Sequence, residues 1–156
     1  MKKLTLLLVL LFTTNTYALE PGNSYIGLQL GEADVDDVDL DAYLIRFGVK
    51  FYDHIDLELR YGRGINDRED GGIDFEIESI GGLYGLYHVG IIYGIAGASS
   101  GTVKTSLMGQ NKQIEDDSFS YGIGLEYRGF NVEWIQYMDT SDIEVDALSI
   151  GYNYYF

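Results

Sequence analysis

The sequence holds two histidines, His54 and His88, and no cysteine. A thiol nucleophile, a thiolate metal site, a zinc ribbon and a disulfide framework are all excluded. A serine hydrolase needs an imidazole base within hydrogen-bond reach of a hydroxyl. Neither histidine has a serine within two residues, and both fall at predicted turns. Carboxylates are far more abundant. Glu32, Asp34, Asp36, Asp37, Asp39 and Asp41 fall within ten residues, and Asp67, Glu69, Asp70 and Asp74 form a second group. Such oxygen-rich runs can hold calcium or magnesium, but neither has the glycine and ligand spacing of an EF-hand. Both are read as solvated hydrophilic rims, and no metal or cofactor site is expected. A third set of charges is scattered, with Arg46, Lys50 and Arg60 set against Asp56, Glu58, Glu126 and Glu133.

The elements that must position those charges are strands. The 156 residues suit one domain, and 14 tyrosines beside 20 glycines with a single proline favour a pleated surface over helices. The formal charge of −15 lacks the basic stripe that phosphate neutralisation requires, so no nucleic-acid partner is expected. Met1-Lys2-Lys3, the apolar stretch Leu4 to Phe12 and the small-residue close at Thr16-Tyr17-Ala18 read as a secretory signal peptide over residues 1–18. That apolar stretch is far short of the roughly 20 residues a spanning helix needs. Cleavage after Ala18 would remove two of the 10 basic residues and leave 25 acidic ones, for a formal charge of −17 on residues 19–156.

From Ser24 onward hydrophobicity repeats with period two, and eight segments are predicted. They run from Ser24 to Gly31, Leu40 to Tyr52, Ile55 to Gly64, Ile73 to Tyr87, Val89 to Ser99, Ser118 to Arg128, Phe130 to Met138, and Val145 to Phe156. Long polar connections (Glu32 to Asp39, Ile65 to Gly72, Ser100 to Asp117, Asp139 to Glu144) alternate with short turns at Asp53-His54, His88 and Arg128-Gly129. Long loops at one end and tight turns at the other is the asymmetry of outer-membrane barrels. Tyr43, Ile45, Phe47, Val49 and Phe51 oppose Ala42, Leu44, Arg46, Gly48 and Lys50, and similar alternation marks most other segments. The fourth is irregular: Glu76 and Glu78 share parity with Ile80, Tyr84 and Leu86, which requires either a bulge near Gly81-Gly82 or an acidic pair above the membrane.

A soluble lipocalin-like carrier would show the same period with its apolar face inward. Volume argues against it, because an eight-stranded barrel barely accommodates its own interior side chains, and eleven aromatics from Tyr43 to Phe156 would overfill it. The aromatic face is therefore assigned to lipid. The opposite face of glycine, serine, alanine and charges fills the interior, as an all-β, eight-stranded antiparallel up-and-down transmembrane β-barrel. Arg46, Lys50, Asp56, Glu58, Arg60, Glu126 and Glu133 then form an interior charge network whose members must be paired. A three-residue turn after the second segment would set Lys50 opposite Glu58. The network is read as a packed polar plug, with a narrow low-conductance porin as the alternative.

These features resemble the small eight-stranded outer-membrane barrels of the OmpA transmembrane domain, OmpX and opacity-protein type, over Ser24 to Phe156. The most specific element is Tyr152-Asn153-Tyr154-Tyr155-Phe156, in which Tyr152, Tyr154 and Phe156 look like the family's C-terminal assembly signal. The resemblance implies insertion in the outer membrane of a Gram-negative bacterium through the barrel-assembly machinery, contact with outer-membrane lipid and lipopolysaccharide, and an extracellular ligand met through the acidic loops. Nothing follows Phe156, so the peptidoglycan-binding domain of full-length OmpA-like proteins is not expected. Some barrels of this size resemble lipid A deacylases with a Ser-His-acid arrangement. The turn positions of His54 and His88 do not favour that reading, and no catalytic residue is assigned. The expected function is an envelope structural or adhesin-like surface-interaction role without enzymatic activity.

Overall fold

The computed structural model describes residues 22–35, 38–65, 68–70, 73–107, 110–139 and 144–156. The proposed leader and Asp36, Asp37 and Asp67 lie outside them. Nine strands occur among the described residues: β1 (Ser24–Val35), β2 (Val38–Tyr52), β3 (Ile55–Gly64), β4 (Arg68–Asp70), β5 (Ile73–Val89), β6 (Ile92–Leu107), β7 (Gln110–Tyr127), β8 (Phe130–Asp139) and β9 (Glu144–Tyr155). Eight of them form the wall. The order β3-β2-β1-β9-β8-β7-β6-β5 is closed by pairing of β3 with β5, and β4 is a short strand paired only with the outer part of β5. Every pairing is antiparallel and joins strands consecutive in the chain, except that β3 meets β5 past the short β4 and β1 meets β9 from Tyr25↔Tyr155 to Val35↔Val145. This is a closed eight-stranded up-and-down barrel. Both chain ends of the wall meet at the turn end, where the Phe156 amide donates to the Ser24 carbonyl at 2.9 Å.

Two short turns lie where the alternation places them, at Asp53-His54 and Arg128-Gly129. The third does not. His88 continues β5, and the chain reverses at Gly90-Ile91, where Gly90 has φ +65°. A glycine adopts that backbone without the Cβ clash a histidine would meet, so Gly90 and not His88 marks the turn. The polar segments read as loops also differ: β1 and β2 stay paired out to Val35↔Val38, and β6 and β7 out to Leu107↔Gln110. About 9–11 residues span a bilayer at barrel tilt, whereas β6 has 16 and β7 has 18. Polarity marked the membrane boundary rather than the strand end, because backbone pairing continues wherever two strands stay in register.

Three bulges set the faces. Register shifts lie between Lys50 and Tyr52, between Ile77 and Ser79, and between Gln136 and Met138. The shift in β5 sits at Glu78 rather than near Gly81-Gly82, and it lets Ile77 and Ile80 both point inward. Outside, Ile26, Leu28, Ile45, Phe47, Leu59, Tyr61, Phe119, Ile123, Val132, Ile150 and Tyr154 are all exposed. An apolar belt of that extent is untenable in water and is what a bilayer covers. The interior is more apolar than the alternation suggested. Tyr25, Tyr84, Tyr93 and Tyr137 are buried inside, and Val35, Leu40, Leu44, Ile77, Ile80 and Val145 fill the hairpin end.

The outward face supplies a direct check. Leu59→Arg, on the lipid-facing wall directly across from Phe47, is expected to destabilise the barrel by about 2–4 kcal/mol in urea titrations of folding into phospholipid vesicles. An unchanged transition would mean that this face is not in lipid.

Candidate functional site

The inward parity of β2, β3 and β8 brings Arg46, Glu58, Arg60 and Glu133 together in the middle of the lumen, and none of the four side chains is exposed to solvent. Arg46 and Arg60 are direct cross-strand partners, a like-charge juxtaposition that is unfavourable unless neutralised. Two carboxylates neutralise it. Arg46 forks onto Glu58, with Nε 2.8 Å from Oε1 and Nη2 2.5 Å from Oε2. Arg60 bonds to the same Glu58 through Nε and to Glu133 through Nη1 and Nη2, the latter at 3.0 Å. Arg46 Nη1 also lies 3.6 Å from Glu133. The quartet carries no net charge. Because β3 and β8 stand on opposite sides of the ring, the Arg60–Glu133 pair crosses the full width of the barrel.

Neutral side chains complete the coordination. Tyr25 donates to Glu58 at 2.6 Å and Tyr93 donates to Glu133 at 2.9 Å. Asn131 Oδ1 accepts from Arg46 at 3.2 Å and from Gln29 at 2.9 Å, and the Arg60 guanidinium lies 4.7 Å from the centre of the Tyr84 ring. None of these partners was singled out from the sequence. The signal that finds them is register, since Tyr25 faces Gly48 and Tyr93 faces Gly124 directly across the ladder. A Cβ on Gly48 would lie 2.0 Å from the Tyr25 ring, and one on Gly124 would lie 2.3 Å from Tyr93. Each glycine leaves the space through which a tyrosine reaches its carboxylate.

The other charges lie elsewhere. Lys50 does not oppose Glu58. Its ladder partner is Asp56, because the bulge at Phe51, rather than a longer turn, absorbs the odd residue. Lys50 is exposed at the turn-end mouth, with Nζ 5.9 Å from the Tyr155 ring centre. Asp56 instead lies 3.1 Å from His88. Glu126 accepts from Asn153 at 2.8 Å and from the Tyr155 hydroxyl. Tyr152, Tyr154 and Phe156 all face outward, and the Tyr152 ring packs edge-on to Phe130 at 4.9 Å between centroids. At the hairpin end Glu32 pairs across from Asp41, and Asp34 across from both Asp39 and Asp146, within strands rather than on a loop.

A closed barrel with an outward apolar belt and a charge-neutral polar centre defines a membrane β-barrel of the smallest common size. The family model for the outer membrane protein beta-barrel domain matches residues 4–156, and the chain belongs to that family of outer-membrane proteins. No curated protein matches the sequence significantly. Among solved structures, it is similar to Ail, the attachment invasion locus protein of Yersinia pestis, crystallised with the heparin analogue sucrose octasulfate (19% identity, TM-score 0.54, 85% of this chain and 96% of that one). Neisserial surface protein A (NspA) is similar at 14% identity and a TM-score of 0.61, over 86% of this chain and 97% of that one. The N-terminal β-barrel domain of Pseudomonas aeruginosa OprF is similar at 19% identity and a TM-score of 0.61, over 86% of this chain and 100% of that one.

The quartet's energetics are testable by subtraction. Glu58→Gln leaves two buried guanidiniums sharing one carboxylate and is expected to cost about 3–5 kcal/mol. The double variant Arg46→Met, Glu58→Met removes a complete pair, leaves Arg60 with Glu133, and is expected to recover most of that loss in the same urea titration. A loss in the double variant equal to the sum of the Arg46→Met and Glu58→Met single losses would show that the four groups do not act as one unit.

Proposed function

We propose that this barrel is a non-conducting envelope scaffold whose function lies in the hairpins it holds above the membrane. The carrying observation is the filled lumen. The buried quartet blocks the middle, and Val35, Leu40, Leu44, Ile77, Ile80 and Val145 close the hairpin end above it. Ions crossing that stack would meet both an apolar layer and a neutralised charge cluster, neither of which offers coordination. The quartet of Arg46, Glu58, Arg60 and Glu133 is accordingly a brace rather than a gate, with Lys50, Asp56 and Glu126 apart from it toward the turn end. No group in it is placed to do chemistry on a substrate, and the reading is of a protein without enzymatic activity.

The tight turns face the periplasm and the hairpins face outward, following the loop asymmetry of such barrels. The outward Tyr152, Tyr154 and Phe156 stand at the turn end, as an assembly signal read from the periplasm would require. The hairpin segments 32–41, 63–78, 100–117 and 139–146 hold 19 of the 25 carboxylates against four basic residues. Ail was crystallised with a polysulfated ligand. This chain's hairpins are strongly acidic and would repel such a polyanion, so a cationic partner surface is the complementary extracellular ligand. Lipopolysaccharide is the neighbour at the same level, its phosphates reached across divalent ions.

In planar bilayers the purified barrel is expected to show no conductance steps, and ohmic steps in the wild-type protein would replace this reading with that of a narrow pore. An epitope inserted between Leu107 and Gln110 is expected to be labelled on intact cells, and one inserted at Asp53-His54 only after permeabilisation. The reverse pattern would overturn the orientation.

A further inference from the structure

The turn between β7 and β8 is unusual in its chemistry. Arg128 has φ +53° and Gly129 has φ +86°, so two successive residues occupy the left-handed region, as in a type I′ hairpin turn, where asparagine or aspartate followed by glycine is favoured. An arginine there carries a backbone cost that asparagine would reduce. Its guanidinium lies 5.3 Å from the centre of the Tyr127 ring, along the outer wall. Among the described residues it is the one lysine or arginine on the outer wall at the turn end, because Lys50 sits at the lumen mouth beside Tyr155. Tyr127 in turn lines a groove of about 640 Å³ on the lipid-facing surface across β7, β8, β9 and β1. Leu28, Leu125, Val132 and Ile150 supply its aliphatic lining, and Phe130 and Tyr152 its aromatic lining. Glu126, at its edge, has its carboxylate engaged by Asn153 and Tyr155.

We propose that this groove and Arg128 together form a specific site for one anionic glycerophospholipid, its acyl chain along the groove and its phosphate on the guanidinium. The chemistry divides as such a lipid does: an apolar trough for the chain, an aromatic zone at the ester level, and a cation at the rim. Arginine can lay its stem along the Tyr127 ring and present a planar fork of donors to phosphate oxygens. The charge is selective here because, among the described residues, Arg128 is the one basic side chain on the outer wall at the turn end, so an anionic head group at that level of the wall is attracted to this turn. The reading places the site in the inner leaflet and so rests on the orientation proposed above, but its chemistry can be tested in a symmetric bilayer without it.

The experiment is native mass spectrometry of the folded full-length barrel released from nanodiscs of equimolar phosphatidylglycerol and phosphatidylcholine with identical acyl chains. Wild-type protein is expected to retain phosphatidylglycerol over phosphatidylcholine by about fivefold, the effect of one basic residue at an anionic surface. Arg128→Asn, which suits the turn and is expected to fold at least as stably by heat-modifiable electrophoresis, should bring that ratio close to one. Arg128→Lys should retain the preference. Val132→Trp, which fills the groove and leaves Arg128 in place, should lose retained lipid of both kinds. Equal retention by the wild type, an unchanged preference in Arg128→Asn, or full retention in Val132→Trp would each overturn the site. Release of a lipid-free dimer would also overturn it, by giving the groove to a second copy of the chain.

Discussion

A peptide N–H or C=O without a partner in hydrocarbon costs several kcal/mol, and no water is available there to supply one. A sheet placed in a bilayer must therefore close, and in this chain closure is made by β1 with β9 and by β3 with β5. With eight strands the ring is so narrow that its interior holds side chains and little else. The lumen's contents follow from that width. Arg60 on β3 can reach Glu133 on the opposite strand β8, and any charge inside must find its counter-charge within the same small volume. The neutral quartet is how this sequence meets both demands at once.

The division between inside and outside is chemical before it is geometric. Outward positions carry aliphatic and aromatic groups because lipid covers them, and inward positions combine tyrosines, paired charges and glycines. The glycines matter most where a tyrosine lies over them. Tyr25 over Gly48 and Tyr93 over Gly124 convert missing side chains into hydrogen-bond reach, bringing phenol donors to Glu58 and Glu133. The two rims then differ sharply. The hairpin end is a field of carboxylates held on paired strands, and the turn end is a zone of Tyr52, Tyr127, Phe130, Tyr152, Tyr154 and Phe156 with Arg128 among them.

A fold of this kind does not by itself specify a function, which depends on the groups that the fold carries. The similarity to Ail, NspA and the OprF domain, at identities of 14–19%, is one of fold. The hairpins of this chain are marked by the sign and density of their charge, which bears on the partner they can meet.

How much was legible in advance follows from what each signal depends on. The period of two, the alternation of aromatic with small or charged residues, and the outward set from Tyr43 to Phe51 depend only on side-chain direction along one strand, so the barrel class, the eight wall strands, the lipid-facing face and two of the three turns are readable from the residues, whereas the short β4 is not. Which charges meet depends on register between strands, and register is moved by a single residue. The bulge at Phe51 sent Lys50 to Asp56's level and freed Glu58 for Arg46. The bulge at Glu78 turned Ile77 and Ile80 inward together. Polar runs hid the true length of β1, β2, β6 and β7, because hydropathy reports the membrane boundary and not the end of pairing. Tyr25, Tyr93 and Asn131 became partners of the quartet only through closure, which sets strands far apart in the chain across one narrow lumen, and that juxtaposition is a property of the tertiary structure alone.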